Sequence, residues 1–174
     1  LFVGIATGSL TTNPKFLLSF TVDLPASGQY SNLYLAGLNS GSTYTALLKG
    51  SAQIATSSSF LMNPTVTNLN QGQSLTMLSG DLNEDNTINS ADYSIAKVAF
   101  GTTKGTTNFN ENADFNKDGV INVLDLGLII KNLGKVGASG SWTSALPKTA
   151  TSSGGVNPQS PAAQGGYWIW VPEL

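Results

Sequence analysis

The residues able to do chemistry in this chain are carboxylates and neutral oxygens, and they recur at a fixed offset. Asp81-Leu-Asn-Glu-Asp-Asn-Thr-Ile-Asn-Ser-Ala-Asp92 superimposes on Asp114-Phe-Asn-Lys-Asp-Gly-Val-Ile-Asn-Val-Leu-Asp125 with a period of 33 residues. Oxygen-bearing side chains fall at positions 1, 3, 5, 9 and 12 of each copy, and isoleucine holds position 8 in both. A tight loop with this spacing turns alternate residues inward, adds a main-chain carbonyl at position 7, and takes a last carboxylate from the helix that follows. The ligands expected of the first loop are Asp81, Asn83, Asp85, Thr87 through its carbonyl, Asn89 directly or through water, and Asp92. Those of the second are Asp114, Asn116, Asp118, Val120 through its carbonyl, Asn122 and Asp125. Hard oxygen donors in a flexible loop suit Ca²⁺ better than Mg²⁺, which demands a rigid octahedron and gives up water reluctantly. Position 6 needs a sharp, often left-handed turn: Gly119 meets that need, and Asn86 is the next-best residue for it. Two Ca²⁺ ions are expected, because three carboxylates gathered in each loop repel one another unless a divalent cation neutralises them.

Composition narrows the alternatives. The 174 residues include no cysteine, histidine or arginine, and ten acids face eight lysines for a net charge of −2. Thiolate and imidazole chemistry, disulfides and histidine-ligated transition metals are therefore excluded. A near-neutral chain without Arg is a poor nucleic-acid ligand. Eight of the ten acids lie between Asp81 and Asp125. Outside the loop ligand positions the only acids are Asp23, Glu84, Glu111 and Glu173, which offer no general acid–base pair, so no enzyme activity is expected. No apolar run is long enough to insert in a membrane. Abundant neutral polarity together with calcium loops points to an extracellular or cell-surface setting of bacterial type. The first residue is Leu1, as expected where an N-terminal segment has been removed or not read.

Paired D-x-N-x-D-x-x-I-N-x-x-D loops, each leading into one helix, resemble the type I dockerin family over about Ser79–Val136. The resemblance implies calcium binding and a cohesin partner, contacted through loop positions 10 and 11 and along the following helices. Those positions are Ser90 and Ala91 in the first copy, Val123 and Leu124 in the second. Dockerins that engage a cohesin through either copy keep the two pairs alike. Here the first pair is small and the second is bulky and apolar, and Val123 and Leu124 suit packing against another domain or subunit equally well.

The elements that must hold these loops read as follows. Residues 1–78 carry β signals, and Phe16–Leu24 alternates with Phe16, Leu18, Phe20, Val22 and Leu24 on one face. Further short runs at Tyr30–Ala36, Thr43–Lys49, Gln53–Thr56, Thr65–Leu69 and Ser74–Leu78, separated by turn residues, predict an antiparallel β-sandwich of six to eight strands. Residues 79–136 form the two-helix calcium module. Ile95, Val98 and Ala99 are expected to share one helix face, as are Leu124, Leu128, Ile129 and Leu133, with Gly101 and Gly134 as helix stops. Residues 137–166 are rich in Gly, Pro, Ser, Thr and Ala and read as a flexible linker. Residues 167–174 close the chain with the apolar strand Tyr167-Trp168-Ile169-Trp170-Val171. The fold class is thus mainly β with a small α calcium module.

An exposed strand must find a partner. Tyr167–Val171 can fold back on its own sheet or complete a neighbour's, and Leu1–Ala6 is a second candidate donor strand. The reading favoured by the residues alone is a structural subunit that polymerises into a surface fibre, with copies of itself as partner. The alternative is an anchoring module that binds a cohesin on a scaffold or cell surface.

Overall fold

The computed structural model describes residues 1–143 and 167–170, apart from Asn13, Ala26, Tyr34, Val66 and residues 69–72. Most of the expected linker (144–166), together with Val171 and the last three residues, lies outside the described residues. The chain divides into two compact units. One comprises Leu1–Leu48, Thr56–Thr76 and Pro147–Leu174, the other Lys49–Ala55 and Met77–Leu146.

The first unit holds six strands: β1 (Phe2–Ala6), β2 (Leu18–Thr21), β3 (Gln29–Leu33), β4 (Thr43–Lys49, whose last residue falls in the second unit), β5 (Thr56–Leu61) and β6 (Tyr167–Trp170). They form a four-stranded sheet in the order β2-β1-β4-β5 and a two-stranded sheet of β3 with β6. The β1–β2, β4–β5 and β3–β6 pairs are antiparallel. β1 is buried at all five residues, as an interior strand of a sheet must be, while β4 alternates only in its first half before the buried run Ala46-Leu47-Leu48. Val3, Val22, Leu33 and Leu48 line one small apolar cavity, so side chains from both sheets meet there.

Three sequence expectations change. Residues 1–78 carry five strands among those described, short of the expected six to eight; Gln53 makes only an isolated bridge to Ser79, and 73–78 is irregular. β5, which reads Thr-Ser-Ser-Ser-Phe-Leu, had no apolar period strong enough to announce it. The donor-strand expectation is also corrected. Tyr167–Trp170 pairs with β3 of its own chain, from Gln29↔Trp170 to Leu33↔Tyr167, and Phe2–Ala6 lies between β2 and β4. Both segments invoked for strand exchange are thus hydrogen-bonded within the chain, and the fibre reading loses the observation that motivated it. Among the described residues, no helix is long and apolar enough to cross a membrane.

The second unit is built on α1 (Ser90–Val98) and α2 (Val123–Asn132), preceded in the second copy by a 3-10 turn at Glu111–Ala113. Its core is Ile54, Ile88, Ala96, Ala99, Ala113, Ile121, Leu126 and Ile129. Helix rotation departs from the expected apolar faces. α1 buries Asp92 and Ala96, with its C-cap Ala99, and leaves Val98 78% exposed, while α2 buries Asp125, Leu126, Ile129 and Asn132 and leaves Leu124 and its C-cap Leu133 outside. The cause is the carboxylate at position 12. It must turn inward to its loop, and residues three to four and seven positions on then share its side. Apolar periodicity alone could not weigh a buried aspartate.

Candidate metal centre

Each loop is shaped by its own amides. Position 12 acts as the hub: Asp92 Oδ1 accepts the Leu82 and Asn83 N–H groups at 2.8 and 3.1 Å, and Asp125 Oδ1 accepts those of Phe115 and Asn116 at 2.8 and 3.5 Å. The other oxygen of each accepts the position-9 amide, of Asn89 at 2.8 Å and of Asn122 at 2.9 Å. Asn89 and Asn122 reciprocate as N-caps of α1 and α2, completing a capping box that ties each loop to its helix. Position 3 orients position 5: Asn83 Nδ2 donates to Asp85 and Asn116 Nδ2 to Asp118, at 2.9 and 2.8 Å. Position 6 turns through positive φ in both copies, 65° at Asn86 and 84° at Gly119, as the sharp turn requires.

The two copies are cross-tied. The Ile88 N–H donates to Lys135, just after α2, and the Gly134 N–H returns to Ile88; likewise the Gly101 N–H, just after α1, donates to Ile121, and Ile121 donates to Thr102. Thr87 and Val120 sit in the isolated bridges that result, and the ladder is made by the residues on either side of them. Their carbonyls therefore face away from the ladder, towards the loop.

One observation tests directly whether these loops fit a cation. Asp81 Oδ1 and Asp114 Oδ1, the position-1 oxygens of the two copies, are buried and lack any hydrogen-bond partner. A buried carboxylate oxygen without a donor is costly, and here it occurs at the same position of both loops. The candidate ligand side chains of both loops carry oxygen and no sulfur or imidazole, which matches Ca²⁺. Among the described residues, no group of three acidic side chains is drawn together in this structure. The short Asp at position 12 is held by loop amides and the helix cap.

The surroundings of position 1 differ between copies. Asp114 Oδ2 accepts the Gly119 N–H at 3.0 Å. Asp81 Oδ2 accepts the Asn86 N–H at 3.1 Å and also the Lys49 ammonium at 3.1 Å, with Lys49 7% and Asp81 0% exposed. Burial pushes the Asp81 carboxyl above its ordinary range, and Lys49 draws it back only in part. Asp118, at the surface, is held below its ordinary value by the Asn116 amide first and then the Val120 N–H.

Sequence reasoning missed Lys49 and the side chain of Asn86. Lys49 ends the buried run Ala46-Leu47-Leu48, and a lysine continuing such a run calls for a counter-ion. Asn86 accepts from the Ala55 N–H at 2.7 Å and donates to the Ala138 and Gly140 carbonyls at 2.9 and 2.7 Å. With Trp142 N–H to Asp85 O at 2.8 Å, it fastens residues 137–142, the head of the expected linker, to the first loop.

Positions 10 and 11 point outward. Ser90, Ala91, Val123 and Leu124 are exposed, the last two at 70% and 62%. α2 continues this face with Ile130, 58% exposed, where α1 has Lys97. Tyr167, Trp168, Ile169 and Trp170 are not brought to this site; their strand belongs to the other unit.

A family model, the dockerin type I domain, matches residues 79–134. That segment is a dockerin type I domain. Over 55 residues, 32% of the chain, the protein is 38% identical to cellulosomal-scaffolding proteins B and A of Acetivibrio thermocellus. It spans 7% and 3% of the lengths of those relatives. Two crystal structures of interface mutants of a type II cohesin–X–dockerin complex from Acetivibrio cellulolyticus are also similar. One covers 56% of this chain and 66% of its own at 23% identity and a TM-score of 0.43. The other covers 76% of this chain and 97% of its own at 17% identity and a TM-score of 0.45. The dockerin segment holds both loops and both helices, and residues 49–55 and 137–142 pack onto it from outside the matched range.

Proposed function

We propose that this is a non-catalytic, extracellular anchoring protein whose dockerin module binds two Ca²⁺ ions and docks to a cohesin-like partner through the outward face of α2. The observation that carries the reading is the pairing of a buried Asp125 with an exposed Val123-Leu124 on one helix turn. The loop carboxylate fixes the rotation of α2 and so presents Val123, Leu124 and Ile130 to solvent. An apolar patch of this kind on a small module marks a contact surface. The α1 face offers Ser90, Ala91, Ser94 and Lys97 at the same register, so docking is one-sided.

Calcium has a mechanical role here. Asp81, Asn83, Asp85 and the Thr87 carbonyl in the first loop, and Asp114, Asn116, Asp118 and the Val120 carbonyl in the second, would hold the ion, whose charge would offset the carboxylates and draw each loop closed. Asp92 and Asp125 link the loop amides to the helix N-termini, and Asn89 and Asn122 serve chiefly as caps. Kinship with scaffolding proteins supports a place in an extracellular multiprotein assembly. The test is binding of the intact chain to a cohesin domain with calcium and with chelator, repeated with Val123→Ser/Leu124→Ser and with Ser90→Ala.

A further inference from the structure

We infer that Lys49 is a resident counter-cation that makes the first loop the weaker calcium site, so that the second loop loads first. The inference rests on the calcium reading above. Apart from the side-chain bonds of Asn86 at position 6, the two loops agree amide for amide and differ in charge at position 1. Asp114 meets only main-chain N–H at its Oδ2, whereas Asp81 shares its Oδ2 between the Asn86 N–H and the Lys49 ammonium.

That ammonium is not a loose surface arm. It also donates to the Gln53 and Gly50 carbonyls and lies 5.9 Å from the centre of the Trp142 ring. Trp142 is itself buried and held by its Nε1–H to Ser139 Oγ at 2.7 Å. A divalent ion entering at the unpartnered Asp81 Oδ1 must share one buried carboxylate with a fixed positive charge. Repulsion between two cations buried together is poorly screened.

The position-4 charges act in the opposite sense, since Glu84 favours a cation at the first loop and Lys117 disfavours one at the second. Lys117, however, is exposed and turns its ammonium to the Glu111 carbonyl at 2.8 Å, where solvent and salt weaken its field. The buried contact outweighs the exposed one. In the calcium-free module, Lys49 stands in for part of the missing charge, and the first loop keeps its shape without metal.

Amide-resolved NMR of the intact chain during calcium titration tests this. The Gly119 amide is expected to complete its shift near the first equivalent, with Asn86 following at the second. In Lys49→Met the Asn86 midpoint falls by about tenfold or more, closing the gap. Lys49→Gln, which keeps a donor for the Gly50 and Gln53 carbonyls, behaves the same way and serves if the Met variant loses its amide dispersion. If both amides move together in the natural chain, if Asn86 moves first, or if neutralising Lys49 leaves the gap intact, the inference is overturned. A chain in which neither amide responds refutes the calcium reading itself.

Discussion

The Asn86 side-chain amide donates to the Gly140 carbonyl at 2.7 Å across 54 residues of sequence, fastening the exit of the dockerin module to the turn of its first acidic loop. The same side chain also takes the Ala55 N–H and gives to the Ala138 carbonyl. Position 6 of the first loop therefore does two jobs. Its backbone supplies the left-handed turn that Gly119 supplies in the second loop, and its side chain closes a clasp that glycine cannot make.

Asn86→Gly keeps the turn and breaks the clasp. Three hydrogen bonds at about 1 kcal/mol each place the loss near 3 kcal/mol. Asn86→Ala adds about 1 kcal/mol for a Cβ at positive φ. Thermal unfolding of the two variants should rank natural chain, Gly, Ala, and equal midpoints for all three would refute the clasp.

Asp81 gives the metal-free module an unusual pH response. Its folded-state carboxyl titrates above its unfolded value of 3.8, so the contribution favouring the fold is full below 3.8 and is lost as pH rises through the raised value. In chelator, the midpoint of the dockerin unit should therefore rise on acidification from neutrality toward pH 4. With calcium it should fall over the same range, because protons compete for the ligands. Denaturation curves with and without chelator that run parallel in pH would contradict this.

How much of this could be read from residues alone divides along physical lines. The repeat and the two helices were legible because each depends on local sequence: Asn89 and Asp92 cap α1 from within the motif, and Asn122 and Asp125 do the same for α2. Which helix face turns outward was not, since a buried Asp125 outranks Leu124 in fixing rotation and polarity scales rank them the other way. Lys49 was invisible for a different reason. Its partner Asp81 lies 32 residues on, and nothing in a strand ending in lysine says which carboxylate will meet it. β5 escaped because its inward positions include Ser58, a buried hydroxyl in place of an apolar side chain.

Removing Tyr167–Leu174 tests the pairing of β6. The strand contributes a four-residue antiparallel edge to β3. Its loss should lower the midpoint of the β unit by several degrees and leave the dockerin transition in place, with the chain monomeric before and after. A truncation that spared the midpoint and dissolved an assembled species, as seen by sedimentation velocity, would restore strand exchange.

Val123 and Leu124 separate binding from folding. Both are exposed, so Val123→Ser/Leu124→Ser should change stability by no more than about 0.5 kcal/mol per site. Loss of two central apolar contacts should weaken partner binding by about 100-fold or more. Ser90→Ala in the first copy should leave affinity within about twofold. Equal losses from both copies would show that α1 and α2 share the contact.

Calorimetric titration of the intact chain into a type I cohesin domain, in calcium and again in excess chelator, tests the anchoring function most directly. A saturable one-to-one complex that forms in calcium, vanishes in chelator and is lost with Val123→Ser/Leu124→Ser is the result predicted. Absence of binding across a panel of cohesins while calcium saturates both loops, or binding indifferent to calcium, would contradict it.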